Sequence, residues 1–297
     1  MNLTIFTPTY NRANFLVQLY NSIKKQSSRD FEWVIVDDGS TDNTYEVMAD
    51  IISSHDDSFP IRYFKKPNGG KHTAINMGVN VAEGELFFIL DSDDELPRDS
   101  VRIVCEEWEK VNNNPLMAGV AGLDINKKDN TIIGSGLPLN EIDCNAMDIR
   151  FRYKVKGDLK EVFRTSVLKE FPFPEIQGER FCPEQLIWFR IAQKYKLHYF
   201  NKPVYLAEYQ ENGLSSQITK ARMNSPIASM MTYAEMNGYD VPLKEKAKAA
   251  INYWRFRLCC GWDSKKISPR IEGLWNALAP IGVLMHLKDL MHDNNYQ

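Results

Sequence analysis

Two carboxylates one residue apart, Asp91-Ser92-Asp93, follow an apolar run and together could hold a hard divalent cation. Residues i and i+2 leaving an extended segment point the same way. Mg²⁺ and Mn²⁺ take carboxylate, phosphate and water oxygens, so a cation there would stabilise a departing diphosphate. By itself the tripeptide also fits an acidic turn, with Asp94 and Glu95 solvated beside it. Asp37-Asp38-Gly39-Ser40 offers a carboxylate able to accept the imide N–H of a uracil, and equally reads as turn chemistry with Ser40 as a helix cap. In Thr7-Pro8-Thr9-Tyr10-Asn11-Arg12, Pro8 stiffens the chain, Tyr10 offers a stacking face and Arg12 a charge for phosphate. A capped helix start with an exposed arginine is the other reading. Asn68-Gly69-Gly70-Lys71-His72 feeds a glycine-rich loop and a lysine into a helix N-terminus, a plausible diphosphate cradle, although the spacing is not that of a P-loop. His72 reads as structural. Glu179 and Glu184 flank Phe181-Cys182-Pro183 at a helix start. A carboxylate in a first turn stays ionised and suits a general base acting on a hydroxyl, or is a plain helix-terminal acid.

The elements that must position these residues alternate. Residues 3–6, 31–36, 61–64 and 86–90 read as strands, with helices over about 13–26, 42–53 and 71–81, the second capped by Ser40 or Thr41. Strand and helix at this spacing imply right-handed crossovers and a doubly wound α/β sheet. Ligands of such sheets bind beyond the carboxyl ends of the strands. The clusters at 7–12, 37–40 and 91–94 each follow a strand, so all three open onto one crevice. Further on, residues 117–125 read as a strand, 130–134 as a hairpin and 183–195 as a helix. Residues 197–200 and 204–209 read as closing strands, and only helical signals follow residue 218.

With 297 residues, 43% of them hydrophobic, the chain can build one large α/β domain with a helical appendage. A net charge of -3 gives no indication of nucleic acid as a partner. The five cysteines show no metal-ligand spacing and read as reduced thiols of a cytoplasmic protein. No signal-peptide pattern opens the sequence, and no apolar run approaches the roughly 20 residues that span a bilayer.

Taken together, the motifs resemble glycosyltransferase family 2, with the GT-A fold, over roughly residues 1–210. Thr7 to Arg12 looks like the family's nucleotide loop, and Val36-Asp37-Asp38-Gly39-Ser40-Thr41-Asp42 like its uracil-binding segment. Ala74, Asn76 and Gly78 meet its Ala-x-Asn-x-Gly stretch, and Asp91-Ser92-Asp93 its DxD element. The resemblance implies a UDP-sugar donor bound by Thr7, Pro8, Thr9, Tyr10, Arg12, Asp38, Asn68, Lys71, Asp91 and Ser92. It places Asp38 on the uracil, Lys71 near the diphosphate, Asp91 on the ribose or metal shell, and Asp93 on Mn²⁺ or Mg²⁺. It also implies inversion by direct displacement with a single base. The family's base is an aspartate four residues before the tryptophan of a Trp-x-Arg-x-Ala helix. Trp188, Arg190 and Ala192 fit that frame, and the count back gives Glu184, a glutamate where the family has aspartate. Glu179 is the alternative base. The segment Glu208-Tyr209 to Gly213-Leu214-Ser215 is also similar to the family and leads a loop toward Lys220 or Arg222.

The expected organisation is a GT-A domain over 1–215, a mostly parallel sheet with helices on both faces, and a C-terminal helical extension over 216–297. That extension could serve as an acceptor-side lid, a homo-oligomer contact or a peripheral membrane surface at the inner face of the membrane, with a plain packed helical subdomain favoured. The acceptor would be a saccharide or a lipid- or protein-linked glycan in cell-surface polysaccharide or glycoconjugate assembly. A sugar nucleotidyltransferase is disfavoured because residues 7–12 contain no glycine, and a Rossmann dehydrogenase because no GxGxxG follows the first strand. A non-catalytic nucleotide-sugar binder of the same fold is the remaining alternative.

Overall fold

A computed structural model describes residues 1–208, 217–260 and 270–294. Apolar runs ended by polar turns form β1 (Leu3–Thr9), β2 (Phe31–Asp37), β3 (Ile61–Lys65) and β4 (Leu86–Ile89), alternating with α1 (Ala13–Lys24), α2 (Thr44–Ser53) and α3 (Lys71–Val81). Next come α4 (Ser100–Glu109), β5 (Met117–Asn126), β6 (Glu141–Cys144), α5 (Ala146–Phe151), β7 (Leu159–Arg164), α6 (Thr165–Glu170), α7 (Glu184–Ala192) and β8 (Lys196–Ala207). One sheet of eight strands results, in the order β3-β2-β1-β4-β7-β5-β8-β6. β1, β2, β3 and β4 are parallel, as are β5 and β8, while β7 and β6 run against their neighbours. The doubly wound, mostly parallel sheet expected from the alternation is present.

Helices cover both faces. On one, Leu16, Leu19 and Ile23 of α1, Met48 and Ile51 of α2, and Val101, Val104 and Trp108 of α4 close over Leu3, Ile5, Trp33, Ile35, Leu86 and Phe88. Each such side chain contributes about 1.5–3 kcal/mol by leaving water. On the other face α3 presses against β1, where a Cβ on Gly78 would stand 2.1 Å from the Phe6 ring. Asn76 holds the same helix in place by exchanging two 2.9 Å hydrogen bonds with the backbone of Phe173.

Several boundaries differ from the sequence expectation. β1 runs on through Pro8 to Thr9 instead of turning after Phe6. The Phe6 carbonyl accepts from Leu90 N–H, so Pro8, two residues on, faces the same side where β4 has already ended. Its missing N–H therefore costs no ladder bond. α2 begins at Thr44, and neither Ser40 nor Thr41 caps it. Asp42 Oδ1 takes the Thr44 N–H at 3.1 Å, and Ser40 Oγ receives Asn11 N–H at 2.9 Å. β8 is one interior strand, not two closing ones. Residues 130–134 make a single bridge, Ile125 to Ile132, and β7 arises where charged Lys160, Glu161 and Arg164 mask the strand pattern.

The chain forms two compact units, residues 1–173 with 190–208, and residues 174–189 with the described residues from 217 onward. In the second, α8 (Ile218–Asn224), α9 (Pro226–Gly238), α10 (Leu243–Arg257), a 3-10 turn (Gly273–Leu278) and α11 (Ala279–Asn294) follow one another. Tyr233 stacks on Phe256 at 5.9 Å, and Arg255 holds Asp289 through two bonds of 2.5 and 2.7 Å. Among the described residues no helix is long and apolar enough to cross a membrane.

The contact of α3 with β1 is directly testable. Gly78→Ala drives a methyl into Phe6, whose ring is stacked on Phe87 at 4.9 Å. We expect a loss of about 1–3 kcal/mol in urea unfolding, with Gly238→Ala, which meets nothing within 4 Å among the described residues, near wild type. Wild-type stability for Gly78→Ala would contradict the packing.

Candidate functional site

The crevice is organised by two adjacent buried acids at the end of β2. Side chains of consecutive extended residues point opposite ways, and Asp37 and Asp38 use this to hold different loops. Asp37 Oδ1 accepts from Ser40 N–H at 2.7 Å and Oδ2 from Tyr63 O–H at 2.7 Å. Burial and Asp37 push the Tyr63 phenol well up, so it remains a donor. Asp38 Oδ1 accepts from Gly69 N–H at 2.9 Å and Lys66 Nζ at 2.8 Å, and Oδ2 from Gly70 N–H at 2.7 Å. Its carbonyl takes the Asn68 amide at 2.9 Å. Gly39 has φ +84°, and a Cβ there would lie 2.8 Å from Asn68 N, so only glycine lets the two loops touch. Asn11, at φ +52°, accepts from Thr41 N–H at 2.8 Å and Asp42 N–H at 3.3 Å. The loops after β1, β2 and β3 are thus one hydrogen-bonded body. Both Asp38 oxygens and the Asn68 amide are engaged within it.

Asp91 and Asp93 meet cations on either side. Lys71 Nζ lies 2.6 Å from Asp91 Oδ1, and Arg12 Nη1 3.7 Å from Asp93 Oδ2. Burial works to raise the Asp91 pKa, but the charges of Lys71, Lys160 and Arg12 outweigh it and hold the carboxyl below its usual range. Ser92 is buried between them. Tyr205, from β8, accepts Asp91 N–H at 3.1 Å and donates to Asp94 Oδ2 at 2.7 Å, while Glu208 N–H reaches Asp94 Oδ1 at 3.0 Å. Burial, then Asp91, pushes Asp94 up to about 6. Asp124, on β5, is 6% exposed, and its Oδ1 has no hydrogen-bond partner among the described residues. Burial pushes it up to about 7 against the pull of Lys160.

Other expected residues sit differently. Thr7 is fully buried and its Oγ1 accepts Trp33 Nε1–H at 3.0 Å, which makes it a core contact. Thr9 is buried with a hydroxyl that has no partner among the described residues, and Tyr10 is 45% exposed on the loop. In the second unit, Glu179 accepts Ile227 N–H at 2.6 Å and Ala228 N–H at 2.9 Å, one oxygen each, closing the start of α9. Glu184 opens α7. Arg222 is packed over the Tyr233 ring, 5.2 Å from its centroid. The segment 209–215 lies outside the described residues. Tyr63, Lys66, Asp124, Lys160 and Tyr205 were not singled out from sequence, and Asp94 entered only as a solvated acid of the turn, whereas it is half-buried and accepts from Tyr205. Lys66 follows a strand end and was findable by that rule, whereas Lys160 and Tyr205 lie inside strands and gave no local signal.

Among the described residues one trio of ligand-type side chains converges, Glu107, Glu141 and His198. Lys110 Nζ, 2.6 Å from Glu107 and 2.5 Å from Glu141, and Lys202 Nζ, 2.6 Å from Glu107, already neutralise it. Asp91 and Asp93 supply two hard oxygen donors, the number Mg²⁺ or Mn²⁺ takes from protein when phosphate and water complete the shell.

The chain superimposes on Staphylococcus aureus TarS in complex with UDP-GlcNAc with a TM-score of 0.64, at 20% identity over 87% of this chain and 72% of that one. A Pyrobaculum calidifontis mannosyltransferase in complex with GDP-Man and Mn²⁺ gives 0.58 at 18% identity, covering 96% and 80%. The architecture is therefore the GT-A fold of glycosyltransferases. Residues 4–164 match glycosyl transferase family 2, more than half of the 297 residues, and the chain belongs to that family. An uncharacterized glycosyltransferase of Rickettsia conorii is 35% identical over 247 residues, 81% of this chain and 35% of the relative. The chain spans about a third or less of the length of the curated relatives it matches.

Asp124 gives a pH signature. Its folded pKa of about 7 lies above the ordinary 3.8, so the native state holds its proton more tightly than the unfolded chain. Stability from this group is full below pH 4 and falls as pH rises toward 7. Asp124→Asn should therefore gain on wild type between pH 4 and 8, by roughly 2–4 kcal/mol in urea titrations. A difference independent of pH would refute the buried, protonated acid.

Proposed function

We propose that this chain moves a sugar from a UDP-linked donor to an acceptor hydroxyl with inversion at the anomeric carbon. The observation that carries the reading is the end of β4, where Asp91 and Asp93 stand between Lys71 and Arg12 beside the loop body of β1, β2 and β3. A uridine would lie over the β2 end, and its diphosphate at Asp91 to Asp93. Lys71 and Arg12 are placed to meet phosphate oxygens, and each would exchange a carboxylate partner for one. Asp91 and Asp93 would hold Mn²⁺ or Mg²⁺, which when bound would neutralise the leaving diphosphate. The mannosyltransferase complex with GDP-Man and Mn²⁺ supports a divalent ion, and the TarS complex with UDP-GlcNAc supports uridine as the donor's nucleoside.

Glu184 is the proposed base. It is the first residue of α7, a position where the helix N-terminus favours negative charge. It takes the acceptor's hydroxyl proton while that oxygen bonds to the anomeric carbon and the bond from that carbon to the diphosphate oxygen breaks. UDP then departs with the bonding electron pair. Glu179 is less suited, because both its oxygens already receive backbone N–H groups. TarS bears the name poly(ribitol-phosphate) beta-N-acetylglucosaminyltransferase, and its polymeric acceptor supports a role here in building a surface polysaccharide or glycoconjugate.

Asp93→Ala should lower metal-dependent hydrolysis or transfer of UDP-sugars at least about 100-fold, as should EDTA, with recovery on adding Mn²⁺. Unchanged turnover would remove the metal assignment. Glu184→Gln should bind UDP as wild type does yet lose transfer, and full activity would pass the role to another group.

A further inference from the structure

Lys160 sits where a donor sugar would have to go. Its strand, β7, lies next to β4, and the register Phe88 to Val162 continues to bring Lys160 level with Leu90, one residue before Asp91. By alternation Lys160 shares the face of Val162, which packs in the same cluster as Tyr205. Its opposite residue on β5 is Gly122, which has no side chain to cover it. Two residues further on the same face is Asp124, itself paired in register with Tyr205 of β8. Three adjacent strands therefore line up Lys160, Asp124 and Tyr205 beneath Asp91 and Asp94.

Within this row the Lys160 ammonium has no hydrogen bond or ion pair among the described residues. It is held 3.7 Å from the centroid of the Tyr205 ring, whose π face attracts a cation while leaving its three N–H donors unused. Lys71 and Lys66, by contrast, are bound to Asp91 and Asp38. The half-buried ammonium is near enough to Asp91, Asp94 and Asp124 to act on their charge, yet its donors remain open to a ligand oxygen.

Strand order says which part of the ligand this is. Neighbouring strands are about 4.8 Å apart. A nucleoside diphosphate with its base over β2 and its diphosphate at the end of β4 crosses about two spacings. The next group along meets the next strand, which is β7. We propose that Lys160 is a substrate-binding residue of the sugar subsite, donating to hydroxyl, carbonyl or ring oxygens of the transferred sugar. The assignment rests on the nucleotide-sugar reading above. It adds a residue of the chain's own that acts on the sugar and not on the nucleotide.

Lys160→Met keeps the stem over Tyr205 and removes the donors. Calorimetric titration of wild type and variant with UDP and with UDP-GlcNAc, both with Mn²⁺, separates the possibilities. The expected result is UDP affinity within about twofold of wild type and UDP-GlcNAc weakened about tenfold or more, the size of a lost charge-assisted hydrogen bond. Retained UDP binding also reports that the variant is folded. Equal weakening of both ligands, or no change in either, would overturn the sugar assignment while leaving the nucleotide-sugar reading in place. Failure of wild type to bind either ligand would instead remove that reading, and this inference with it.

Discussion

Asp37 and Asp38 are chain neighbours whose carboxylates face opposite ways, and the rim of the crevice depends on that divergence. One acid closes its own turn and recruits Tyr63, and the other collects the N–H groups of Gly69 and Gly70 together with Lys66. Each is buried, so each would be costly unpaired, on the order of 1–3 kcal/mol per unsatisfied group. The arrangement is stable because every oxygen is used. It sets the start of α3, and with it Lys71, at a fixed height above the end of β4.

Charge balance across the crevice follows from the same positions. Asp91, Asp93, Asp94 and Asp124 stand against Lys71, Arg12 and Lys160, a surplus of one carboxylate. Protonation of Asp94 and Asp124, both favoured by burial, relieves the surplus without a ligand. A diphosphate brings about two further negative charges into a partly desolvated site, where each is worth more than in water. This is the electrostatic case for an added divalent cation, and it comes from the side chains themselves.

The alternation of strands and helices in the first half was readable because each apolar run ends at a polar turn. α3 begins at Lys71 and ends at Val81 as its pattern suggests. β7 was not readable, since Lys160, Glu161 and Arg164 give it the look of a surface segment although it lies between β4 and β5. Local pattern cannot report that an inward-facing lysine has a tyrosine ring to rest on. The same limit applied to the candidate site. Asp91, Asp93, Lys71 and Arg12 were found because they follow strand ends or precede a helix. Asp38 and Asn68 were also found, but their bonding to the next loop depends on a contact 30 residues away in sequence. Thr7 looked like loop chemistry until Pro8 proved compatible with a strand whose neighbour had ended.

The strand order also determines what the sheet presents at its margins. Its outermost members, β3 and β6, have five and four residues. Arg62 and Lys65 lie on one, with Lys66 and Pro67 just after it, and Glu141 and Asp143 lie on the other. Short borders that carry charged side chains are poor templates for another chain's backbone, because an added strand would have to desolvate those groups to pair. The apolar interior strands, the most prone to self-association, are shielded by these two, so concentrated protein can keep its sheets from joining edge to edge.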